Sequence, residues 1–274
     1  MTRTRLPGPR PRKALGQHFL RDSGVLADIV AAVRVPQRGI VVEIGAGTGQ
    51  LTAAILDAGH TVVAIEVEPR MLAHLSSRLG RNPRLQIVEA DARLADLSEL
   101  VPAGVPFVVA GNLPYFAANP IVRHLLEGYP KPKEMVIMVQ REVAREIAAK
   151  PGHSSLFTIS VQVYAEAELL FDVHPTAFDP PPAVFSSVVR LVLRDPPLVP
   201  VKRIEPFFTL VSKTFRNPRK QIHNALARET GLTVEEADEV LSTASIDPMR
   251  RAETLSIDEW LGLLDARERV IGGD

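Results

Sequence analysis

The tetrapeptide Asn112-Leu113-Pro114-Tyr115 follows an apolar run, and its residue types suit chemistry on an exocyclic amine of a nucleobase. Such an amine is a poor nucleophile because its lone pair is delocalised into the ring. The Asn112 amide oxygen and the Leu113 carbonyl can each accept one N–H, which turns the lone pair out of the ring plane. Pro114 stiffens the corner and lacks an N–H, and Tyr115 offers a flat face for a base. The alternative is a strand end and a proline turn beside a buried tyrosine.

A glycine-rich turn upstream indicates a nucleotide-like cofactor. The segment Glu43-Ile44-Gly45-Ala46-Gly47-Thr48-Gly49 runs from an apolar strand into this turn, and a helix is predicted from about Leu51. Dinucleotide enzymes use G-x-G-x-x-G, but the sixth position here is Gln50, so that fingerprint is broken. Methyltransferases that use S-adenosylmethionine (AdoMet) carry E/D-x-G-x-G-x-G, which is present. A nicotinamide dehydrogenase remains the alternative for this motif.

Two acidic residues follow at the ends of the next two predicted strands. Glu66 lies 21 residues after Gly45 and could accept both ribose hydroxyls, while Asp91 could accept the adenine amino group. The alternatives are a solvated strand end for Glu66 and a helix N-cap for Asp91. Together with Gly45 and Asn112, these residues end four consecutive strands. Ligands of open parallel sheets bind at that edge, so the pattern predicts one cofactor site there.

The elements that must position these residues alternate between strands and helices. Near-continuous apolar runs separated by helical patterns predict a Rossmann-like α/β fold, in which helices cover both faces of a mostly parallel sheet. A proline-rich linker at 195–200 precedes a small all-helical C-terminal domain. We predict a basic N-terminal segment (1–21), an AdoMet-binding domain (22–195) and the helical domain (201–274). Strands are predicted at 40–44, 61–66, 85–89, 107–111, 135–140, 168–173 and 184–193. Helices are predicted at 205–214, 219–229, 234–243 and 257–266. The pattern of the segment 156–165 fits either a strand or a helix.

Composition limits the class of protein. The 274 residues are 46% hydrophobic and 23% charged, which is typical of a globular protein. There is no cysteine, the histidines show no metal-ligand spacing, and no apolar run is long enough to cross a bilayer. We therefore expect a cytoplasmic protein, a monomer, with no metal and no membrane partner. The net charge is zero, yet acid-free basic stretches at 1–21 and 206–228 predict a local footprint for nucleic-acid phosphates.

Taken together, these motifs resemble the ribosomal RNA adenine N6-dimethyltransferase family of the KsgA type, to which the Erm enzymes are closely related. The resemblance extends from about Lys13 to Leu264. The C-terminal pieces favour the KsgA branch over Erm. The segments that carry the resemblance are Leu15-Gly16-Gln17-His18-Phe19-Leu20, residues 43–49, Ile65-Glu66-Val67-Glu68, Asp91-Ala92, residues 111–115, Gln140-Arg141-Glu142-Val143-Ala144, residues 178–184, residues 215–220 and residues 247–256.

The resemblance implies roles for individual residues. His18 and Leu20 would contact the methionine end of AdoMet, which Gly45 and Gly47 would line. Glu66 would hold its ribose, Asp91 its adenine, and Asn112 both cofactor and substrate. Phe178 would stack on the target adenine opposite Tyr115, and Arg216, Arg219 and Lys220 would bind RNA. The implied substrate is two adjacent adenosines in the 3′-terminal hairpin loop of 16S rRNA in the immature 30S particle, each methylated twice.

Three positions depart from the family pattern. Ser154-Ser155 stands where a tyrosine followed by glycine or serine is usual, Phe185 where aspartate is common, and Pro218 where arginine is usual. The first two concern the pocket for the base, and the third weakens a basic helix as an RNA contact. Two other functions stay open at this point: a non-catalytic assembly factor that binds rRNA, and an Erm-like enzyme acting on 23S rRNA.

Overall fold

A computed structural model of the protein describes residues 17–271. Most of the predicted basic N-terminal segment, including Leu15 and Gly16, therefore lies outside the described residues. The chain forms two compact units. The first extends to Arg145 and adds Glu166–Leu193, and the second combines Glu146–Ala165 with the chain from Arg194 onward.

A seven-stranded sheet forms the centre of the first unit, which confirms the predicted α/β fold. Its strand order is β4-β3-β2-β5-β6-β9-β7, and the strands from β4 to β6 in this order are parallel. Strand β9 returns antiparallel to β6. The strands are β2 (Ile40–Ile44), β3 (Val62–Glu66), β4 (Leu85–Glu89), β5 (Phe107–Asn112), β6 (Glu134–Gln140), β7 (Ala165–Val173) and β9 (Ser186–Leu193).

The register of the parallel strands brings their carboxyl ends to one edge. Ile44 pairs with Ile65 on one side and with Gly111 on the other, and Glu66 pairs with Glu89. The residues that follow these strands therefore meet at the same rim, as the sequence predicts. The central strands are mostly apolar because helices cover the sheet, and Val41, Val108 and Val136 are fully buried.

Two short strands bring the N-terminal segment to the same region of the first unit. Strand β1 (Phe19–Leu20) pairs antiparallel with β8 (Phe178–Asp179), with Leu20 opposite Phe178. The Arg21 amide also donates to the Ala177 carbonyl at 2.8 Å. The helices that begin in this unit are α1 (Ser23–Ala32), α2 (Gln50–Asp57), α3 (Pro69–Leu79), α4 (Leu97–Leu100), α5 (Ala118–Glu127) and α6 (Arg141–Ile147).

The second unit is helical. Its described residues show whether the segment 156–165, which fits either a helix or a strand by its sequence, is helical. That stretch begins as a helix, and its last residue, Ala165, starts β7. The Ser155 hydroxyl accepts from the Thr158 amide at 3.1 Å, and the Thr158 hydroxyl accepts from the Ser155 amide at 2.9 Å. Ser155 thus caps the helix, which gives this departure from the family pattern a structural role. The helices are α7 (Leu156–Gln162), α8 (Ile204–Phe215), α9 (Ile222–Thr230), α10 (Val234–Thr243) and α11 (Ile257–Ile271).

The predicted start of the second of these C-terminal helices is wrong by three residues. We expected a basic helix from Arg219, but α9 begins at Ile222, and Arg219 and Lys220 lie in the loop before it. Pro218 disfavours helical geometry at the residue before it, and the Lys220 amide donates to the Asn217 carbonyl at 3.0 Å, which closes a turn. The predicted RNA-contacting residues therefore lie on a loop.

Candidate active site

The glycine turn after β2 has a backbone geometry that favours glycine. Gly45, Gly47 and Gly49 have φ values of 71°, 52° and 76°, a region that costs residues with a Cβ atom strain. A Cβ atom at Gly49 would also lie 2.5 Å from the Leu75 side chain. The turn therefore depends on the three glycines of the motif. Without side chains at Gly45 and Gly47, a ligand in the cavity can approach the backbone closely.

Glu66 stabilises this turn through its own carboxylate. Its Oε2 accepts from the Gly47 amide at 2.8 Å, and its Oε1 accepts from the amides of Val67 and Glu68 at 2.9 Å each. The side chain is 9% exposed and lines the cavity described below. A carboxylate has about four lone-pair positions, so these three bonds leave capacity for a ligand hydroxyl.

Asp91 lies two residues beyond β4 rather than at its last residue, Glu89. Its Oδ1 accepts from the backbone amide and the Nε of Arg93 at 2.9 and 3.0 Å. The hydrogen bonds from the Arg93 side chain hold the pKa of Asp91 below its ordinary value, so this carboxylate is charged at neutral pH. Both residues line the cavity, and sequence reasoning missed Arg93.

The Asn112-Leu113-Pro114-Tyr115 corner begins at the last residue of β5. The Asn112 Nδ2 donates to the His18 carbonyl at 3.2 Å. Because this bond uses the amide nitrogen, the amide oxygen remains an acceptor. The Leu113 amide donates to the Met138 carbonyl at 3.0 Å, which anchors the corner to β6. The predicted arrangement of acceptors is therefore held between the N-terminal segment and the sheet.

Tyr115 is fixed at both its ring and its hydroxyl. The hydroxyl and the Ser186 hydroxyl are 2.7 Å apart, and burial raises the pKa of Tyr115. Its ring stacks on that of His18 with a centroid separation of 5.8 Å and an interplanar angle of 28°. His18 in turn has its Nδ1 2.8 Å from the Pro180 carbonyl; since a carbonyl only accepts, Nδ1 donates. One face of Tyr115 is thus covered by His18.

The cavity at this rim has a volume of about 200 Å³. It brings together the predicted residues His18, Gly45, Gly47, Glu66, Asp91 and Asn112 to Tyr115. Sequence reasoning missed Phe116, although the signal was present in its position directly after the motif. The described residues that line the cavity are Gln17, His18, Phe19, Ile44, Gly45, Gly47, Ile65, Glu66, Val67, Glu68, Met71, Ala90, Asp91, Ala92, Arg93, Asn112, Leu113, Pro114, Tyr115, Phe116, Ala117 and Ile121.

Two predicted site residues lie elsewhere. Leu20 and Phe178 are 5% and 4% exposed and belong to the hydrophobic core, where β1 and β8 place them opposite each other. Neither side chain is among those lining the cavity. The structure thus places the Phe178 ring among apolar neighbours, and its stacking on the target adenine stays a prediction.

Phe185, the second departure from the family pattern, pairs with Arg141. The guanidinium carbon of Arg141 lies 4.4 Å from the centroid of the Phe185 ring, and the His174 ring meets it edge-on at 4.9 Å. The Arg141 amide also donates to the Phe185 carbonyl at 3.0 Å. This cation–π contact gives the aromatic side chain at position 185 a role in packing.

Glu43, the acid of the glycine motif, is buried under the turn. Its side chain is 1% exposed, and its Oε2 has no hydrogen-bond partner among the described residues. Burial raises the pKa of Glu43 from 4.5 to about 8, and the nearby Glu66 carboxylate adds to this effect. Glu43 is therefore a neutral carboxylic acid in the folded protein at pH 7.

We expect Glu43→Gln to reduce the loss of stability that the protein suffers as pH rises. Between about pH 4.5 and 8 the folded state keeps a proton on Glu43 that the unfolded chain has released. Stability therefore falls across this window, by at most about 5 kcal/mol at roughly 1.4 kcal/mol per pKa unit. The neutral amide removes this dependence.

Thermal unfolding at pH 5.5 and 8.5 measures the effect. Glu89→Gln, at an exposed position of β4, is the control and should follow the wild-type protein. If Glu43→Gln and the wild-type protein lose stability in parallel between the two pH values, Glu43 is not protonated in the folded state.

Within residues 17–271, no group of three or more histidine, cysteine, aspartate or glutamate side chains could hold a metal ion. None of the helices in the same range has both the length and the apolar character that membrane spanning requires.

The fold and the site together define the class of protein. A glycine turn after the first sheet strand, carboxylates after the next two and an Asn-Leu-Pro-Tyr corner after β5 surround one cavity on a Rossmann-like sheet. The backbone of the turn can approach a ligand closely, and the carboxylates can hold its hydroxyl and amino groups. These features fit AdoMet, and they define an AdoMet-dependent methyltransferase.

Comparison with known proteins gives the family. The family "Ribosomal RNA adenine dimethylase" matches residues 9–266. The "Ribosomal RNA small subunit methyltransferase A" of Desulfitobacterium hafniense is 40% identical over 94% of this chain and 93% of its own length. The protein with the same description from Dehalococcoides mccartyi is 37% identical over 92% of this chain and 86% of its own length.

Solved structures support the same fold. The 23S rRNA methyltransferase ErmE is 27% identical, with a TM-score of 0.73 over 91% of this chain and 99% of its own. A dimethyladenosine transferase from Plasmodium falciparum has a TM-score of 0.77 at 24% identity, over 92% of this chain and 98% of its own.

This chain belongs to the ribosomal RNA adenine dimethylase family. It is therefore an rRNA adenine N6,N6-dimethyltransferase that uses AdoMet, and the nicotinamide dehydrogenase is excluded.

Proposed function

We propose that this enzyme dimethylates two adjacent adenosines in the 3′-terminal hairpin loop of 16S rRNA, acting as a monomer on the immature 30S particle in the cytoplasm. The observation that carries the chemistry is the Asn112-Leu113-Pro114-Tyr115 corner on the wall of the cavity. The choice of the small subunit rests on the relatives, which are 37–40% identical and carry small-subunit names, whereas the 23S enzyme ErmE is 27% identical.

The residues around the cavity suggest how AdoMet is held. Gly45 and Gly47 let backbone approach the methionine portion, with the His18 segment on the other side. The remaining lone pair of Glu66 would accept a ribose hydroxyl, and Asp91 would accept a hydrogen of the adenine amino group. AdoMet supplies a methyl group on a positively charged sulfur, which makes that carbon electrophilic without a metal ion.

The acceptors of the corner would prepare the amine for attack. The Asn112 amide oxygen and the Leu113 carbonyl accept the two N6 hydrogens, so that the nitrogen lone pair points away from the adenine ring. A bond forms between N6 and the methyl carbon as the carbon–sulfur bond breaks, with its electron pair left on sulfur. The resulting ammonium gives its proton to water, and a second transfer follows. The enzyme contributes mainly by orienting the reactants, which is worth roughly 7–11 kcal/mol.

Unpaired loop adenosines suit this mechanism because the target base must leave its stack to reach Asn112. Tyr115 would contact the base with the part of its ring that His18 leaves open. Stacking of Phe178 on the base would require its buried ring to become exposed.

A basic loop in the second unit is the proposed contact for RNA phosphates. Arg216, Arg219 and Lys220 are exposed between α8 and α9. A bridge between Gln221 and Arg251 brings a further exposed arginine beside the loop, which sequence reasoning missed.

Charge reversal at Arg219 and Lys220 should weaken RNA binding and flatten its dependence on salt. Two lost phosphate contacts should reduce the slope of log K against log salt by about 1.5. Filter binding from 50 to 300 mM salt, a range of about sixfold in which the slope is measurable, gives the value. The control is reversal of two exposed arginines that do not line the cavity, Arg38 and Arg81, which changes the net charge equally. An unchanged slope in the loop variant would exclude this loop from the interface.

Methyl transfer from labelled AdoMet tests the proposed substrate. We expect label in unmethylated 30S particles and none in naked 23S rRNA. Label in 23S rRNA alone would favour an Erm-like substrate. Binding to 30S particles without transfer would favour a non-catalytic assembly factor.

A further inference from the structure

Among the described residues that line the cavity, Phe116 is an exposed aromatic residue to which the proposed site gives no role. Phe116 directly follows the Asn-Leu-Pro-Tyr corner, lines the cavity and is 66% exposed. Exposing a phenylalanine to this extent forgoes most of the free energy that burying its ring would give. An exposed aromatic ring beside a site for a nucleobase is suited to stacking.

The other aromatic rings near the corner are already engaged. Tyr115 stacks on His18 and bonds to Ser186, and Phe178 lies in the core. Phe19 also lines the cavity, but it is only 8% exposed. Among the described aromatic residues lining the cavity, Phe116 therefore presents the most accessible ring.

The position of Phe116 selects which base it contacts. The target amine must reach Asn112, which is half-buried, and the adjacent Leu113 is 1% exposed, so the acceptors of the amine are more buried than the Phe116 ring. The Phe116 ring lies on the exposed wall of the same cavity, one residue beyond Tyr115. A base stacked on the Phe116 ring would therefore lie closer to solvent than the target adenine.

We propose that Phe116 is a stacking platform for the base of a nucleotide adjacent to the target adenosine in the RNA strand. This inference rests on the proposed function and deepens it. The platform would hold the neighbouring base unstacked while the target enters the cavity. In the reaction of one of the two adjacent target adenosines, the base held on Phe116 is the other substrate. The ring acts by positioning RNA and takes no part in the chemistry.

Three substitutions of Phe116 separate stacking from simple apolar contact. Phe116→Trp keeps a large π face, Phe116→Leu keeps apolar volume without one, and Phe116→Ala removes both. We expect KM for unmethylated 30S particles to rise about 5- to 150-fold in Phe116→Ala and nearly as much in Phe116→Leu, while Phe116→Trp stays close to wild type. Tyr129→Ala is the matched control, because Tyr129 is 83% exposed and does not line the cavity.

A change in the RNA then identifies the base. In 30S particles with uridine at one or the other of the two adjacent adenosine positions, the remaining adenosine is the substrate. Wild-type KM should rise on the particle in which uridine replaces the base that stacks on Phe116, because a pyrimidine stacks more weakly, whereas KM of Phe116→Ala should change little on either particle. Such non-additivity shows that the ring and the neighbouring base act on each other.

The outcomes distinguish failure of the inference from failure of the proposed function. If the wild-type enzyme transfers no methyl group to 30S particles, the proposed function is wrong. If it does, and Phe116→Ala has wild-type KM, or both proteins respond equally to uridine, the platform is wrong. Retention of wild-type KM by Phe116→Leu would show apolar contact instead of stacking. Unchanged AdoMet affinity in every variant shows that the cavity stays intact, and a weakened one would assign Phe116 to the cofactor instead.

Discussion

Replacing Asn112 with alanine is expected to lower kcat by about 100- to 1000-fold while the affinity for RNA changes little. The amide oxygen accepts a hydrogen of the reacting amine, and this bond strengthens as positive charge develops on nitrogen. An interaction of this kind lowers the barrier more than it stabilises bound substrate, so its loss appears in kcat.

The Asn112 amide nitrogen also donates to the His18 carbonyl, and this second role must be measured separately. AdoMet affinity reports it, because His18 belongs to the segment beside the cofactor. Asn82→Ala is the control, since the Asn82 side chain accepts from the Arg84 amide and does not line the cavity. Single-turnover rates together with RNA binding by Asn112→Ala decide the matter. Equal loss of kcat and RNA affinity would contradict the assigned role.

Changing Glu66 to glutamine should raise the Kd for AdoMet by about 10- to 100-fold, with a much smaller effect on kcat at saturating AdoMet. The amide oxygen can still accept from the Val67 and Glu68 amides. The amide nitrogen would then face the Gly47 amide, and two donors would oppose each other where a carboxylate oxygen now accepts at 2.8 Å. Each hydrogen bond to a charged group contributes about 1.5–3 kcal/mol, which sets the expected range.

Calorimetric titration with AdoMet measures this change. Glu89→Gln is the matched control, because Glu89 pairs with Glu66 in the register of the sheet and is exposed. An AdoMet Kd in Glu66→Gln equal to that of the control would show that the Glu66 carboxylate does not support the cofactor site.

The sheet and its rim could be predicted because their signals are local. Strands covered on both faces need continuous apolar runs, so β2 and β4 appear in the sequence with the bounds that the structure gives them. The residues after parallel strands meet at one edge whatever the details of packing. The grouping of Gly45, Glu66, Asp91 and Asn112 follows from that rule.

The features that sequence reasoning missed depend on contacts between distant segments. Leu20 and Phe178 are far apart in the sequence, and the pairing of their strands brings both side chains into the core. No local pattern distinguishes a buried Phe178 from an exposed Phe116, since both are phenylalanines close to prolines. The three hydrogen bonds that Glu66 accepts likewise depend on backbone amides from two separate turns, one at Gly47 and one at Val67 and Glu68.

The departures from the family pattern have local explanations that motif comparison alone could not supply. Ser155 caps α7, and Phe185 packs against the guanidinium of Arg141. Pro218 lies in the turn that precedes α9, so this helix begins only at Ile222. None of these residues lines the cavity, so the cofactor and amine sites are compatible with all three.

The most direct test of the account is a map of N6,N6-dimethyladenosine in rRNA from cells that lack this protein, by mass spectrometry of rRNA fragments. We predict that the modification disappears from two adjacent adenosines in the 3′-terminal hairpin loop of 16S rRNA. The wild-type gene should restore it and the Asn112→Ala gene should not. Persistence of both modified adenosines without the protein, or their restoration by Asn112→Ala, would contradict the account.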